Sequence, residues 1–195
     1  VPQAMHYQHQ LETLVNCYRK EWHQKSNGHM PEDFPVQITQ LPSWHAPQSA
    51  PTEGIESPWV VNRESMRLAT KNLSNTHMAV SIDTGDAIAL HPKNKKPIGI
   101  RHAMIALKNT YGKYPVGEGP RYRDHKITKG KIRIYFDSVG SGLQPARPEP
   151  LNGFAIAGSD RQWHWADAEI SGATVIVSSS DVLEPVAVRY AWAMN

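Results

Sequence analysis

The chain has 195 residues, enough for one large domain or two small ones with a buried core. Its 21 basic and 18 acidic residues give a net charge of +3, and no run of five or six like charges suggests a nucleic-acid-binding arm. No apolar stretch approaches the roughly 20 residues that span a bilayer. The single cysteine, Cys17, excludes an internal disulfide and a cysteine-based zinc cluster. We therefore predict no nucleic-acid partner and no membrane attachment.

Residues 1–115 begin with a helix and a strand. Apolar side chains recur three and four residues apart and predict a helix over residues 4–23. The stripe consists of Leu11, Leu14, Val15, Tyr18 and Trp22. The stretch FPVQITQLP then predicts a short strand over Phe34–Gln40, stopped by Pro42.

The same pattern repeats further along. A second helix is predicted from Pro58, a residue that suits the first helical position, to about Leu73. MAVSID, residues 78–83, has the composition of a buried parallel strand. A third helix ends near Gly112, and its predicted apolar face consists of Ile100, Ala103, Met104, Leu107 and Tyr111. Strands that alternate with helices predict an α/β layer with a mostly parallel sheet.

Residues 116–195 have a different character. Short strand candidates are separated by Gly, Asp, Pro and Ser, as in an antiparallel sandwich. The candidates are KIRIYFD, GFAIAG, WHWADAEI, ATVIVSS and VAVRYAWA. We therefore predict a second, β-rich and sandwich-like domain, in which Trp163, Trp165 and Trp192 are assigned to the core rather than to a sugar-stacking surface.

Two residues follow the predicted parallel strands and are candidates for function, because functional side chains collect beyond the carboxyl ends of such strands. His91 lies between the MAVSID strand and the third helix, where an imidazole can act as general base for a serine. The alternative is an exposed loop histidine. Trp44 follows the first strand and is a candidate sugar ligand. The remaining histidines are too loosely grouped to predict a metal site.

Three motifs carry a family resemblance. MAVSIDTGDAIALHPKNKKPIGIRHAMIALKNTYGK resembles the last catalytic block of SGNH-type carbohydrate acetylesterases, and more narrowly of the sialate O-acetylesterase family. The segment from GFAIAG to RYAWA resembles the β-rich region that follows that hydrolase core, and the first helix with its closing EW, followed by QLPSW, is also similar. The resemblance implies a partial flavodoxin-like SGNH layer in residues 1–115, with His91 as catalytic base.

The residue that would orient His91 departs from the family pattern. SGNH enzymes commonly place an aspartate three residues before the histidine, and here that position is Ile88. Asp86, or less favourably Asp83, could reach the imidazole around the loop. Both could instead cap loop amides. A serine–histidine dyad held by a backbone carbonyl is an equally open alternative.

The family's nucleophile block is not found in the sequence. Relatives carry their serine in a G-x-S or G-Q-S block, and a stretch like Q-G-E-S-N supplies an oxyanion-hole asparagine. That stretch usually precedes the helix that here opens as VPQAMHYQHQ, so we expect the chain to be one piece of a larger enzyme. Its expected partner is an amino-terminal chain or segment that carries the serine.

The resemblance implies a serine acetylesterase without metal or organic cofactor, acting on O-acetylated carbohydrate. Sialate O-acetyl esters and acetylated plant polysaccharides such as xylan or xyloglucan are both candidate substrates. An extracytoplasmic location (secreted, periplasmic or lysosomal) is expected on the same ground. The alternative function is a non-catalytic carbohydrate-binding or interaction module derived from such an esterase.

Overall fold

A computed structural model of the chain describes residues 2–52, 57–114, 116–146 and 150–195. The chain forms two compact units. The first comprises Val1–Pro47, Glu56–Glu118 and Met194–Asn195, and the second comprises Gln48–Ile55 and Gly119–Ala193. The predicted boundary at Pro115 lies outside the described residues, and the interpretation of residues 1–115 as part of an SGNH domain stays a prediction.

The first unit contains the predicted order of helix, strand, helix, strand and helix. These elements are α1 (Pro2–Lys25), β1 (Val36–Thr39), α2 (Pro58–Asn72), β2 (Thr76–Ala79) and α3 (Lys96–Asn109). The two strands pair in parallel, with Val36 opposite Thr76. The mixed α/β class is therefore confirmed, while the partial flavodoxin-like layer stays a prediction. None of the helices in the described ranges combines the length and hydropathy needed to cross a bilayer.

The predicted position of Pro58 is confirmed, and a second proline also lies in a first helical turn. Pro58 lies in the first turn of α2, where Ser57 Oγ accepts a hydrogen bond of 3.2 Å from the amide of Trp59. Pro97 lies in the first turn of α3. Gly112 follows that helix with φ +62°, a conformation that favours glycine and closes the helix end.

One face of the parallel strand pair forms the apolar core of the first unit. Its fully buried members come from the two helices that cover this face: Leu11 and Val15 from α1, and Met66 and Ala69 from α2. Side chains of alternate strand residues pack against them: Val36, Ile38 and Met78. Burial of each large apolar side chain contributes about 1.5–3 kcal/mol, so this core accounts for the α1–α2–sheet packing.

The opposite face of the same strands is polar. His102, on α3, makes two hydrogen bonds of 2.8 Å, one between Nδ1 and Gln37 Oε1 and one between Nε2 and Thr39 Oγ1. His77, opposite Gln37 in the strand pairing, binds Glu118 through Nδ1 at 2.9 Å. A neutral His102 with its proton on Nδ1 satisfies both of its partners, and burial lowers its pKa.

The predicted MAVSID strand, residues 78–83, is wrong in its limits. The strand begins at Thr76 and ends at Ala79, and a short 3₁₀ helix covers Ile82–Thr84. The Ser81 hydroxyl donates a short hydrogen bond to the carbonyl of Gln40, and Ser81 is fully buried. This bond turns the chain away from the strand direction earlier than the apolar composition indicates.

The predicted apolar faces of two helices are also corrected. In α1, Leu11 and Val15 are buried, but Leu14, Tyr18 and Trp22 are each more than half exposed. In α3, the buried residue is Ile105, while Ile100 and Tyr111 are exposed. Helical spacing identifies apolar residues that share a face, but packing against the strands decides which part of that face is covered.

The second unit contains two antiparallel sheets, and the prediction of an antiparallel β-rich region is confirmed. The four-stranded sheet has the order β3 (Arg121–Thr128), β4 (Lys131–Asp137), β8 (Thr174–Ser178), β7 (Asp167–Ser171). The three-stranded sheet has the order β6 (Trp163–Trp165), β5 (Phe154–Ala157), β9 (Ala187–Tyr190). Residues from both sheets form one core: Ile132, Ile134, Phe154, Ile156, Val175, Val177 and Val182.

Two expectations for this unit are wrong, and one strand was missed. The predicted strand WHWADAEI is two strands that belong to different sheets. The strand Arg121–Thr128 was not predicted, because all of its side chains are exposed and most are polar or charged, as suits an edge strand. The tryptophans Trp163, Trp165 and Trp192 are outside the shared core, and Trp165 is 41% exposed.

The half-buried, neutral His102 predicts a stability that falls in acid. Its folded-state pKa is lowered, so the unfolded chain binds the proton first, near the ordinary histidine pKa of about 6.5. The free energy of unfolding should therefore decrease as the pH falls below about 6.5. Urea unfolding at pH 7.5 and 5.5 checks this, with His102→Gln as the matched variant. An equal pH effect in both proteins would contradict the assignment.

Candidate functional site

Two loops lie side by side at the carboxyl ends of β1 and β2. Trp44, in the loop after β1, forms a parallel bridge with Asp86, in the loop after β2. Gly85 approaches Ser43 so closely that a Cβ atom there would overlap the Ser43 carbonyl and hydroxyl oxygens. The second loop continues to His91. The fold thus brings the loops of Trp44 and His91 together at one edge of the strand pair.

A buried arginine on α2 holds the first loop in place. Arg63, only 5% exposed, donates hydrogen bonds to the carbonyls of Leu41 (3.1 Å), Pro42 (2.7 Å) and Met194 (2.9 Å). Trp59 Nε1 donates to the same Pro42 carbonyl at 2.9 Å. Burial lowers the pKa of Arg63 to about 10, so the guanidinium remains charged at neutral pH.

Trp44 lies in an aromatic cluster at the end of this loop. Its ring centre is 4.0 Å from that of His45 and 5.4 Å from that of Trp59, and its amide donates to the carbonyl of Met194 at 2.7 Å. His45 has φ +72°, an uncommon conformation for a histidine, and it is exposed. His45 is not a residue that the sequence identifies, since a positive φ leaves no pattern in the sequence.

Asp83 is engaged by an arginine on α3. Arg101 makes a two-pronged ion pair with Asp83, with both N–O distances 2.6 Å, and also donates to the carbonyl of Val80 at 2.7 Å. The hydrogen bond from Arg101 lowers the pKa of Asp83. This pair ties α3 to the start of the second loop, and the carboxylate of Asp83 is directed to Arg101.

Asp86 caps its own loop. Its Oδ1 accepts hydrogen bonds from the amides of Ile88 (2.9 Å) and Ala89 (3.1 Å), and these bonds lower its pKa. His91 is exposed and makes no hydrogen bond, ion pair or ring contact with any residue in the described ranges. The capping interaction of Asp86 is thus in place, while its role as orienting acid for His91 stays a prediction.

Several apolar side chains are exposed on the stretch of chain from the end of β2 to the start of α3, which includes His91. The exposed fractions of nearby loop and helix residues are 41% for Val80, 93% for Ile88, 38% for Leu90 and 52% for Ile100. An exposed imidazole in this position can accept a proton from a nucleophile brought to it. Among the described residues, no three His, Cys, Asp or Glu side chains are grouped to hold a metal ion.

Comparison with known proteins identifies the class that this site and fold resemble. No family model matches the chain. The fold is similar to the crystal structure of a carbohydrate acetylesterase from Xanthomonas citri, with a TM-score of 0.83 and 34% identity over 98% of this chain and 42% of that one. The predicted resemblance to carbohydrate acetylesterases is confirmed.

A second relative specifies the resemblance. The chain is 26% identical over 190 residues to sialate O-acetylesterase of Mus musculus, covering 92% of this chain and 35% of the mouse protein. The predicted similarity to the sialate O-acetylesterase family is therefore confirmed for the portion of the relative that the chain covers. The chain spans less than half the length of either relative.

The close approach of Gly85 to Ser43 predicts a steric effect of a single methyl group. Gly85 has φ −72° and ψ 178°, which any residue can adopt, so Gly85→Ala tests crowding alone. We expect it to lower the free energy of unfolding by about 1–3 kcal/mol. The control is Gly99→Ala on α3, where no atom lies within 4 Å of the new Cβ. Urea unfolding of both variants checks this, and a Gly85→Ala protein as stable as the control would contradict it.

Proposed function

We propose that the chain is part of a carbohydrate O-acetylesterase of the serine hydrolase type. In this proposal His91 is the catalytic base, and the nucleophilic serine lies on an amino-terminal segment or chain. The observation that carries it is the exposed His91 at the carboxyl edge of two parallel strands, in a chain similar over nearly its whole length to acetylesterases. The SGNH assignment and the split between serine and histidine are parts of the same proposal.

In the proposed mechanism His91 accepts one proton and later returns it. The serine hydroxyl attacks the acetyl carbonyl while the imidazole of His91 takes its proton. Backbone amides and an asparagine of the partner segment stabilise the oxyanion. The imidazolium then donates the proton to the departing sugar oxygen, and a water molecule, activated by the same imidazole, releases acetate.

Substrate recognition is assigned to the loop after β1. Trp44 is half-buried beside His45 and is tied to the His91 loop through Asp86, which supports a contact with the sugar ring. The name of the mouse relative favours a sialic acid O-acetyl ester as substrate, with acetylated xylan or xyloglucan as the alternative. An extracytoplasmic location remains a prediction from the family resemblance.

The second candidate function is a non-catalytic carbohydrate-binding or interaction module. It is favoured by two observations: His91 has no hydrogen-bond partner among the described residues, and Ile88 takes the position of the usual aspartate. Native and denaturing mass measurements discriminate between the two functions. A co-purifying polypeptide with a G-x-S block supports the esterase, and a single folded chain without esterase activity supports the module.

His91→Ala should abolish the esterase activity. Loss of a general base lowers rates by about 10²–10⁴-fold, so hydrolysis of p-nitrophenyl acetate by the chain with its serine-bearing segment should fall by at least that range. The control is His9→Ala, which alters an exposed histidine of α1 paired only with Glu12. Equal activity of the two variants would refute the role of His91.

Asp86→Asn separates the two roles of Asp86. The amide oxygen of asparagine can still accept the hydrogen bonds from Ile88 and Ala89, but the negative charge is removed. If Asp86 orients His91, kcat should fall by about 10³–10⁴-fold. A near-normal kcat would limit Asp86 to its capping role and favour a Ser–His dyad. The thermal melting temperature serves as the control for loop integrity.

A further inference from the structure

One face of the three-stranded sheet of the second unit points away from the core that the two sheets share, and its central residues, Ala155 and Ala157, are buried. Phe154 and Ile156 point into the core, so the alternate residues Ala155 and Ala157 point to the other face. Their partners across the sheet share that face. Ala155 lies opposite Trp165 and Arg189, and Ala157 lies opposite Trp163 and Ala187. Two tryptophans and one arginine therefore flank a strip of alanines.

The guanidinium of Arg189 lies against two aromatic rings. Its guanidinium carbon lies 3.7 Å from the centre of the Trp163 ring and 5.4 Å from that of Trp192. Cation–π contacts of this kind restrict the orientation of the guanidinium and cover part of its surface. A further partner can therefore bind only at an edge that the rings leave open.

That edge has no partner among the described residues. Arg189 donates no hydrogen bond and forms no ion pair there, and its Nη1 is buried without an acceptor. Burial lowers its pKa, as expected for a cation whose charge is not neutralised. A buried guanidinium nitrogen without an acceptor is rare in folded proteins, and a carboxylate supplies both the charge and two in-plane acceptors.

Trp165 provides an apolar surface on the same face. It is 41% exposed, and its Nε1 donates to the carbonyl of Ser49 at 3.2 Å, which fixes the ring. Trp165 and Arg189 lie on the strands on either side of β5, in register with Ala155. Two interstrand spacings separate their backbones by roughly 10 Å, a span that suits one substituted sugar ring.

We propose that Arg189 and Trp165 form a binding site for a carboxylated sugar. The edge of the guanidinium donates to the carboxylate, and the indole packs against the apolar face of the pyranose ring. A neutral sugar would leave the buried cation without a counter-charge, and binding of it should be weaker. The site lies within the second unit and stands independently of the esterase function proposed for the loop of His91.

The test is calorimetric titration of the chain with D-glucuronate and N-acetylneuraminate, with D-glucose as the neutral probe. We expect saturable binding of the two acids, at least tenfold tighter than that of glucose. Arg189→Gln should weaken binding of the acids at least tenfold, and Trp165→Ala should weaken it severalfold. Equal affinity for glucuronate and glucose, or unchanged binding by Arg189→Gln, would overturn the proposal.

Arg123→Gln is the matched control. Arg123 belongs to the same unit and also lies over an aromatic ring, 5.8 Å from the centre of Tyr135, but it is paired with Asp137. Its removal should leave sugar binding unchanged. If Arg189→Gln fails to fold, the NMR resonance of the Arg189 Nε–H group in the wild-type chain is followed instead of the variant. A resonance that does not move during titration with glucuronate would show that the Trp–Arg–Trp stack is only structural.

Discussion

Two buried arginines fix the two ends of the parallel strand pair, and the first unit depends on them. A pair of four-residue strands leaves many carbonyl groups at its ends, where helices exclude water and each unpaired group would be costly. Arg19, on α1, and Arg63, on α2, are each 5% exposed and supply the missing donors. Arg19 binds the amino-terminal ends of the two strands. Its partners are Phe34, Ser74, Asn75 and Thr76. Arg63 binds the chain just beyond the carboxyl-terminal end of the first strand.

The position of His91 follows from this arrangement through the backbone. Arg63 fixes the loop that contains Ser43 and Trp44, and that loop fits against Gly85 and Asp86. The histidine itself touches no described side chain that would orient it. Its location is therefore set by loop packing, whereas the orientation of its ring is free to be set by a ligand or a partner. The loop of His91 is fixed in place, but its imidazole ring is not. This difference distinguishes the site from a complete catalytic triad.

The sequence predicts the helices and strands better than the tertiary contacts around them. Proline and glycine positions fixed the ends of α2 and α3, because these residues restrict the backbone itself. The end of β2 was not predictable from its apolar composition, since a buried hydrogen bond from Ser81 to a distant carbonyl turns the chain. The charged strand Arg121–Thr128 forms through pairing with β4 rather than through its own pattern. Tertiary partners that are remote in sequence decide such cases.

The same limit applies to the candidate functional residues. The histidine motif located the His91 loop, and the strand-end rule located Trp44, because both depend on local sequence and chain direction. The contact of Arg189 with Trp192 is local, three residues along the chain, but nothing local indicated the contact with Trp163, which comes from a separate strand. Aromatic residues in short strands are equally typical of a core and of a ligand surface. Only the register of the sheet, which places them opposite alanines, separates the two.

The exposed apolar side chains between the end of β2 and the start of α3 bear on how a proposed esterase would operate. Val80, Ile88, Leu90 and Ile100 are all substantially exposed in this chain. Burial of each would contribute about 1.5–3 kcal/mol to association with a segment that packs over them. The same burial would exclude water from the imidazole and strengthen its interaction with a serine. In such an enzyme the segment that supplies the nucleophile would also create the low-polarity environment in which His91 acts, so binding and activation would be one event.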